Sequence, residues 1–146
     1  MIVNIRIPID GGCFLLTDYA EYEDMMGGDT AVPITEVTPT LNIETVKGPA
    51  AINLNPGYYS IRCSIVGTKT PLPAHDKMYI PSGKLLVADM CHVINPHKWH
   101  KFLEDTECLS KFKSNIRTKL VNVGRKGLLG IHLQIEPLEA ARRGGE

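Results

Sequence analysis

The chain contains no apolar run of the roughly 20 residues that a membrane-spanning helix requires. Its opening, MIVNIRIPID, breaks its apolar stretch with Asn4 and Arg6 and offers no small-residue cleavage pattern. It is therefore expected to be a strand rather than a leader peptide, and the expected location is cytoplasmic. The four cysteines, Cys13, Cys63, Cys91 and Cys108, show no CxxC spacing. A chain of 146 residues can bury a core without staples, so they are expected to be buried free thiols rather than two disulfides. No glycine pattern forms GxxxxGK or GxGxxG between a strand and a helix, and no Gly-x-Ser-x-Gly elbow is present. Aromatic residues are only 6% of the chain, and no RNP-like or zinc-finger pattern occurs. These gaps weigh against nucleotide hydrolysis, serine-type catalysis and the common nucleic-acid modules.

What the chain does contain is strand signal, punctuated by thirteen glycines and ten prolines. YYSIRCSIV alternates, with Tyr59, Ile61, Cys63 and Ile65 on one face and Tyr58, Ser60, Arg62 and Ser64 on the other. LLGIHLQIE does the same, Leu129, Ile131, Leu133 and Ile135 facing inward and His132, Gln134 and Glu136 outward. Gly124–Gly127 reads as a hairpin loop between NIRTKLVNV and this last strand. Two helices are expected. DYAEYEDMM opens with Asp18 as N-cap and Glu21 three residues on, a capping box. NPHKWHKFLEDT opens with Asn95 as N-cap and Pro96 in the first turn, and its Trp99, Phe102 and Leu103 form the buried stripe.

The two halves echo each other. Ile7-Pro8 and Asp18 in IRIPIDGGCFLLTD correspond to Ile80-Pro81 and Asp89 in MYIPSGKLLVAD, and Gly57 and Ile61 to Gly127 and Ile131. The offsets fall from 73 through 71 to 70, which is too long a period for a solenoid. The expected architecture is one mainly-β domain over residues 1–146, a β-sandwich or open barrel built from two pseudo-repeated halves (about 4–70 and 77–137), with one or two short helices.

A formal net charge of zero conceals a strong polarity. Residues 7–46 carry eight acids and no Lys or Arg, whereas residues 97–126 carry eight bases against three acids. The acidic surface Asp18, Glu21, Glu23, Asp24 and Asp29 is the candidate binding site, suited to a basic-surfaced protein because such fields steer association. A second candidate is the group Cys91, His92, His97 and His100, whose ligand types suit zinc. Geometry opposes it. Cys91 and His92 would point to opposite faces of a strand, and the helix would turn His97 and His100 to solvent beside lysines. No metal, cofactor or catalytic residue is therefore expected. Asp18 and Asp89, recurring at matched positions, are read as strand-end caps rather than a carboxylate pair. The basic stretch KFKSNIRTKLVNVGRKG holds Phe112 alone among aromatics, so nucleic acid is not the expected partner, nor is a membrane.

Once the strands are placed, VPITEVTPTLNIETVKGPAAINLNPGYYSIRCSIVG resembles the middle of the competence protein J family, which includes inhibitors of DNA-entry nuclease. The resemblance rests on Val32-Pro33, Glu44-Thr45, Leu54 and Pro56-Gly57-Tyr58 through Cys63. The second half is similar to small bacterial and phage β proteins that carry SGxLxxxDPCY, with Met90 here in place of the proline and His92 in place of the tyrosine. These resemblances imply a β-sandwich-like fold and transfer no catalytic residue. The expected function is a non-catalytic protein-binding module, in the manner of an inhibitor of a nuclease or another basic-surfaced enzyme. The alternatives are a metal-binding protein or metal-dependent enzyme using the Cys91–His100 cluster, and a self-assembling structural or phage component, in which the chain would be a homo-oligomer.

Overall fold

The structure is a computed structural model, and it describes residues 2–8, 13–26, 33–39, 44–46, 49–66, 75–89, 104–105, 107, 116–122 and 130–138. In chain order the elements are β1 (Val3–Ile7), β2 (Cys13–Asp18), α1 (Tyr19–Met26), β3 (Thr35–Val37), β4 (Glu44–Thr45) and β5 (Ala50–Asn53), followed by β6 (Gly57–Ile65), β7 (His75–Ile80), β8 (Lys84–Asp89), β9 (Thr118–Asn122) and β10 (Ile131–Pro137). They form two five-stranded sheets. The front sheet has the order β4-β1-β10-β6-β7 and the back sheet β3-β5-β8-β2-β9. Neither closes into a barrel, so of the two expected architectures the sandwich is the one formed. The second expected helix lies outside the described residues apart from its end at Glu104 and Asp105.

Strand alternation makes the core. From the front sheet Ile5, Ile61, Leu133 and Ile135 point inward; from the back sheet Phe14, Leu16, Leu85 and Val87 meet them, all completely buried. Each such side chain contributes about 1.5–3 kcal/mol by leaving water. Cys63 sits among them at 4% exposure, on the inward face its alternation predicts.

The chain repeatedly switches sheets at short connections. β1 lies in front and β2 behind; β7 lies in front and β8 behind. The second switch is a tight turn, Ile80-Pro81-Ser82-Gly83, closed by the Gly83 N–H donating to the Ile80 carbonyl at 3.3 Å. Gly83 has φ +74°, and a Cβ there would stand 3.1 Å from the Leu54 carbonyl oxygen, which itself belongs to the neighbouring crossover. Only glycine meets both conditions without strain. The hairpin expected around 124–127 does not form as a pair. β9 pairs with β2 in the back sheet, and β10 pairs with β1 and β6 in the front sheet. Alternating apolar residues on both sides of a glycine loop give no sign of whether the partners share a sheet.

The strand order has an internal regularity. Exchanging β1 with β7, β2 with β8, β5 with β9 and β6 with β10 maps β1-β10-β6-β7 onto itself, and likewise β5-β8-β2-β9. Register follows at the centre of each sheet. Ile131 pairs with Ile65 and Ile135 with Ile61; Phe14 pairs with Asp89 and Asp18 with Leu85. The outer pairing departs from it, since Ile7 pairs with Ile131 but Ile80 pairs with Gly57, and β6–β7 carries an irregularity between Tyr59 and Ile61.

The back sheet is covered on its second face. Register places Leu15, Ala51, Leu86 and Ala88 there, and all are at most 1% exposed. Helix α1 packs on β2 and β8, with Tyr22 1% exposed. Among the described residues no helix is long and apolar enough to cross a membrane.

Candidate functional site

The acidic segment behaves as architecture at its start and as surface at its end. Asp18 is fully buried. Its Oδ2 accepts the N–H groups of Ala20 at 3.1 Å and Glu21 at 3.3 Å, which caps α1. Its Oδ1 accepts the Ser82 hydroxyl at 2.6 Å and the Ser82 N–H at 3.0 Å, which fastens the helix start to the β7–β8 turn. The reciprocal half of the capping box is replaced, because the Asp18 N–H donates to the Arg117 carbonyl at 2.8 Å. Glu21 is 7% exposed and pairs with Arg117 at 2.6 Å. Beneath them Thr17 and Thr118, both fully buried, share a hydroxyl hydrogen bond of 2.8 Å.

The expected acidic surface is therefore corrected. Asp18 and Glu21 face the interior and bind the fold together, because a carboxylate beside free helix N–H groups and an arginine gains more there than in water. Glu23 and Asp24 are exposed on α1, and Asp29 lies outside the described residues. Glu36 is also exposed, but Lys84 pairs with it while lying 5.2 Å over the Tyr19 ring. Arg117, from the basic stretch KFKSNIRTKLVNVGRKG, is the partner of Glu21.

Cys91, His92, His97 and His100 lie outside the described residues, and among the described residues no group of three His, Cys, Asp or Glu side chains is arranged to hold a metal. Cys63 is poorly suited to nucleophilic work. Burial pushes its thiol up to about 12, so it stays protonated. A pocket of about 260 Å³ opens beside Asn53, Asn55, Tyr59 and Pro137. The Tyr59 hydroxyl, whose pKa burial raises, donates to the Asn55 carbonyl and so is already engaged.

The outer face of the front sheet is a different kind of surface. Register sets four rows across it. Arg6, His132 and Ser64 lie side by side; next come Asn4, Gln134 and Arg62; beyond Glu136 and Ser60, Tyr58 stands opposite Tyr79. The two tyrosine rings stack with centroids 4.5 Å apart and planes 22° from parallel. Lys77 lies 4.8 Å over the Tyr58 ring. Arg6, Arg62 and Lys77 are exposed, and among the described residues none of them forms an ion pair. Glu136 is the sole acid among the described side chains of β1, β6, β7 and β10. The His132 ring nitrogen lies 3.2 Å from Asn4 Oδ1, and partial burial followed by the Arg6 charge lowers its pKa from 6.5. At neutral pH it is an uncharged hydrogen-bonding group.

Sequence reasoning placed Tyr58, Ser60, Arg62 and Ser64 on one outward row but did not assemble this face. The signal was present as alternation within β1, β6 and β10. What alternation does not carry is the order of strands, which brings Arg6 within two strands of Arg62 across a gap of more than 50 residues. Compared with protein-family models, curated proteins and solved structures, the chain matches none.

Proposed function

We propose that the chain is a non-catalytic binding module that works through the outer face of its front sheet and takes an anionic partner. The observation that supports this reading is that Arg6, Arg62 and Lys77, on three strands of one sheet, are exposed without ion pairs among the described residues, on the face that carries the stacked Tyr58 and Tyr79. Exposed cations contribute little to folding, whereas tyrosine and arginine together are the side chains that dominate recognition surfaces. The acidic helix retains only Glu23 and Asp24 as exposed described carboxylates, so it is the weaker surface for a basic-surfaced protein.

A photo-crosslinking side chain placed at Gln134 and, in a second protein, at Glu23 tests the reading in extract of the native host. Adducts from position 134 that disappear in an Arg6→Gln/Arg62→Gln background are expected. Adducts from position 23 alone would return the surface to the acidic helix, and none from either position would remove the binding role.

We propose also that the two halves descend from one duplicated unit. The self-mapping strand order and the central registers support this, with Leu133 opposite Cys63 and Leu16 opposite Val87 as the positions on the internal two-fold.

A further inference from the structure

Resting on that reading of the front sheet, we infer that the anionic partner is a single-stranded nucleic acid, laid across β1, β10, β6 and β7. Three properties of the face lead there. The first is charge: Arg6, Arg62 and Lys77 are exposed on these four strands, whose acids are Glu136 and Asp76, and the three cations complement a phosphate chain. The second is the tyrosine pair. Tyr58 is in contact with both Tyr79 and Lys77, and Tyr79 stands on the edge strand of the sheet, where a base can continue the stack. The third is what lies between. Asn4, Gln134, Ser60, Ser64 and the neutral His132 are donors and acceptors of the kind that read the exposed edges of unpaired bases.

Dimensions agree. From Tyr58 to Ser64 the outward row of β6 runs about 20 Å, and four strands give about 14 Å of width, room for a few nucleotides. A protein partner suits the face less well. Recognition cores between proteins are desolvated and apolar, and the described outward side chains of these four strands include no Leu, Ile, Met or Phe. A duplex fits poorly as well, because its bases are stacked on each other and a flat sheet cannot enter a groove.

The test is fluorescence anisotropy of a labelled oligothymidylate, an oligouridylate and a duplex of the same length, titrated with the full chain at several salt concentrations. Both single strands are expected to bind, the duplex at least about tenfold more weakly, with a slope of log K against log salt of about −2 for three phosphate contacts. Tyr79→Ala should weaken binding about tenfold or more and Tyr79→Phe should retain it, since the ring does the stacking. Arg62→Gln should weaken binding and flatten the salt slope, each with an unchanged urea midpoint to show that the fold is intact. Absence of binding at low salt, equal binding of the duplex, or binding indifferent to Tyr79→Ala and Arg62→Gln would overturn the inference. If the Gln134 crosslinker then captures an acidic protein through Arg6 and Arg62, the binding role of the face stands and only the nucleic-acid assignment falls.

Discussion

The outer faces of the two sheets are opposites built from the same kind of strand. On the back sheet Leu15, Ala51, Leu86 and Ala88 are closed off from water, and α1 lies against β2 and β8. On the front sheet the equivalent positions are Asn4, Arg6, Arg62, Gln134 and Tyr79, all at least partly in solvent. The difference is legible in the strands themselves. CFLLTD and KLLVAD are apolar through consecutive positions, as strands covered on both faces must be, whereas VNIRI and IHLQIE alternate. A sheet with one bare face has a surface to spend on recognition, and a sheet covered twice has none.

Substitutions at paired positions sharpen that contrast. Leu86→Ala on the covered face should cost about 2–5 kcal/mol in urea denaturation, because a fully buried leucine leaves both lost contacts and a cavity. Gln134→Ala on the bare face should stay within about 0.5 kcal/mol of the parent; an equal cost at both positions would mean that the two faces are not distinct. Asp18→Ala comes next, at about 2 kcal/mol by the same measurement, since it uncaps α1 and releases Ser82 together. Ser82→Ala combined with it should cost less than the sum of the two single losses, as coupled partners do. Glu21→Gln should cost about 1 kcal/mol or less, because Arg117 remains partly hydrated and loses only one charge partner.

The smallest expected effect is one of pH. Burial and Arg6 hold the His132 pKa below 6.5, so the unfolded chain takes up its proton first as the solution is acidified. The stability associated with neutral His132 is thus fully present above about pH 6.5 and is lost as pH falls toward the folded-state value. His132→Gln should flatten the urea-midpoint profile between about pH 7 and pH 5. A steeper profile in the variant would contradict the direction.

Asp18 was recognisable as a helix cap from its place before YAEYEDMM, and it is one. Its second oxygen was not foreseeable, because Ser82 lies 64 residues away. Glu21 looked like surface for the same reason: the arginine that draws it inward is at position 117, on a turn leading into a strand of the back sheet. Gly124 to Gly127 looked like a hairpin loop because the strands around it are well formed, yet those strands belong to different sheets. Local pattern reports which way a side chain alternates and where a chain turns, but not what the turn delivers it to.

By itself, then, the amino-acid order determined the main strands, their inward faces, the cap at Asp18 and the mainly-β class, because each depends on residues a few positions apart. Strand order decided the rest. It is set by packing between segments up to 132 residues apart, a global free-energy balance that no local window contains. Arg6, Arg62, Lys77, Tyr58 and Tyr79 become one surface only after β1, β10, β6 and β7 stand side by side.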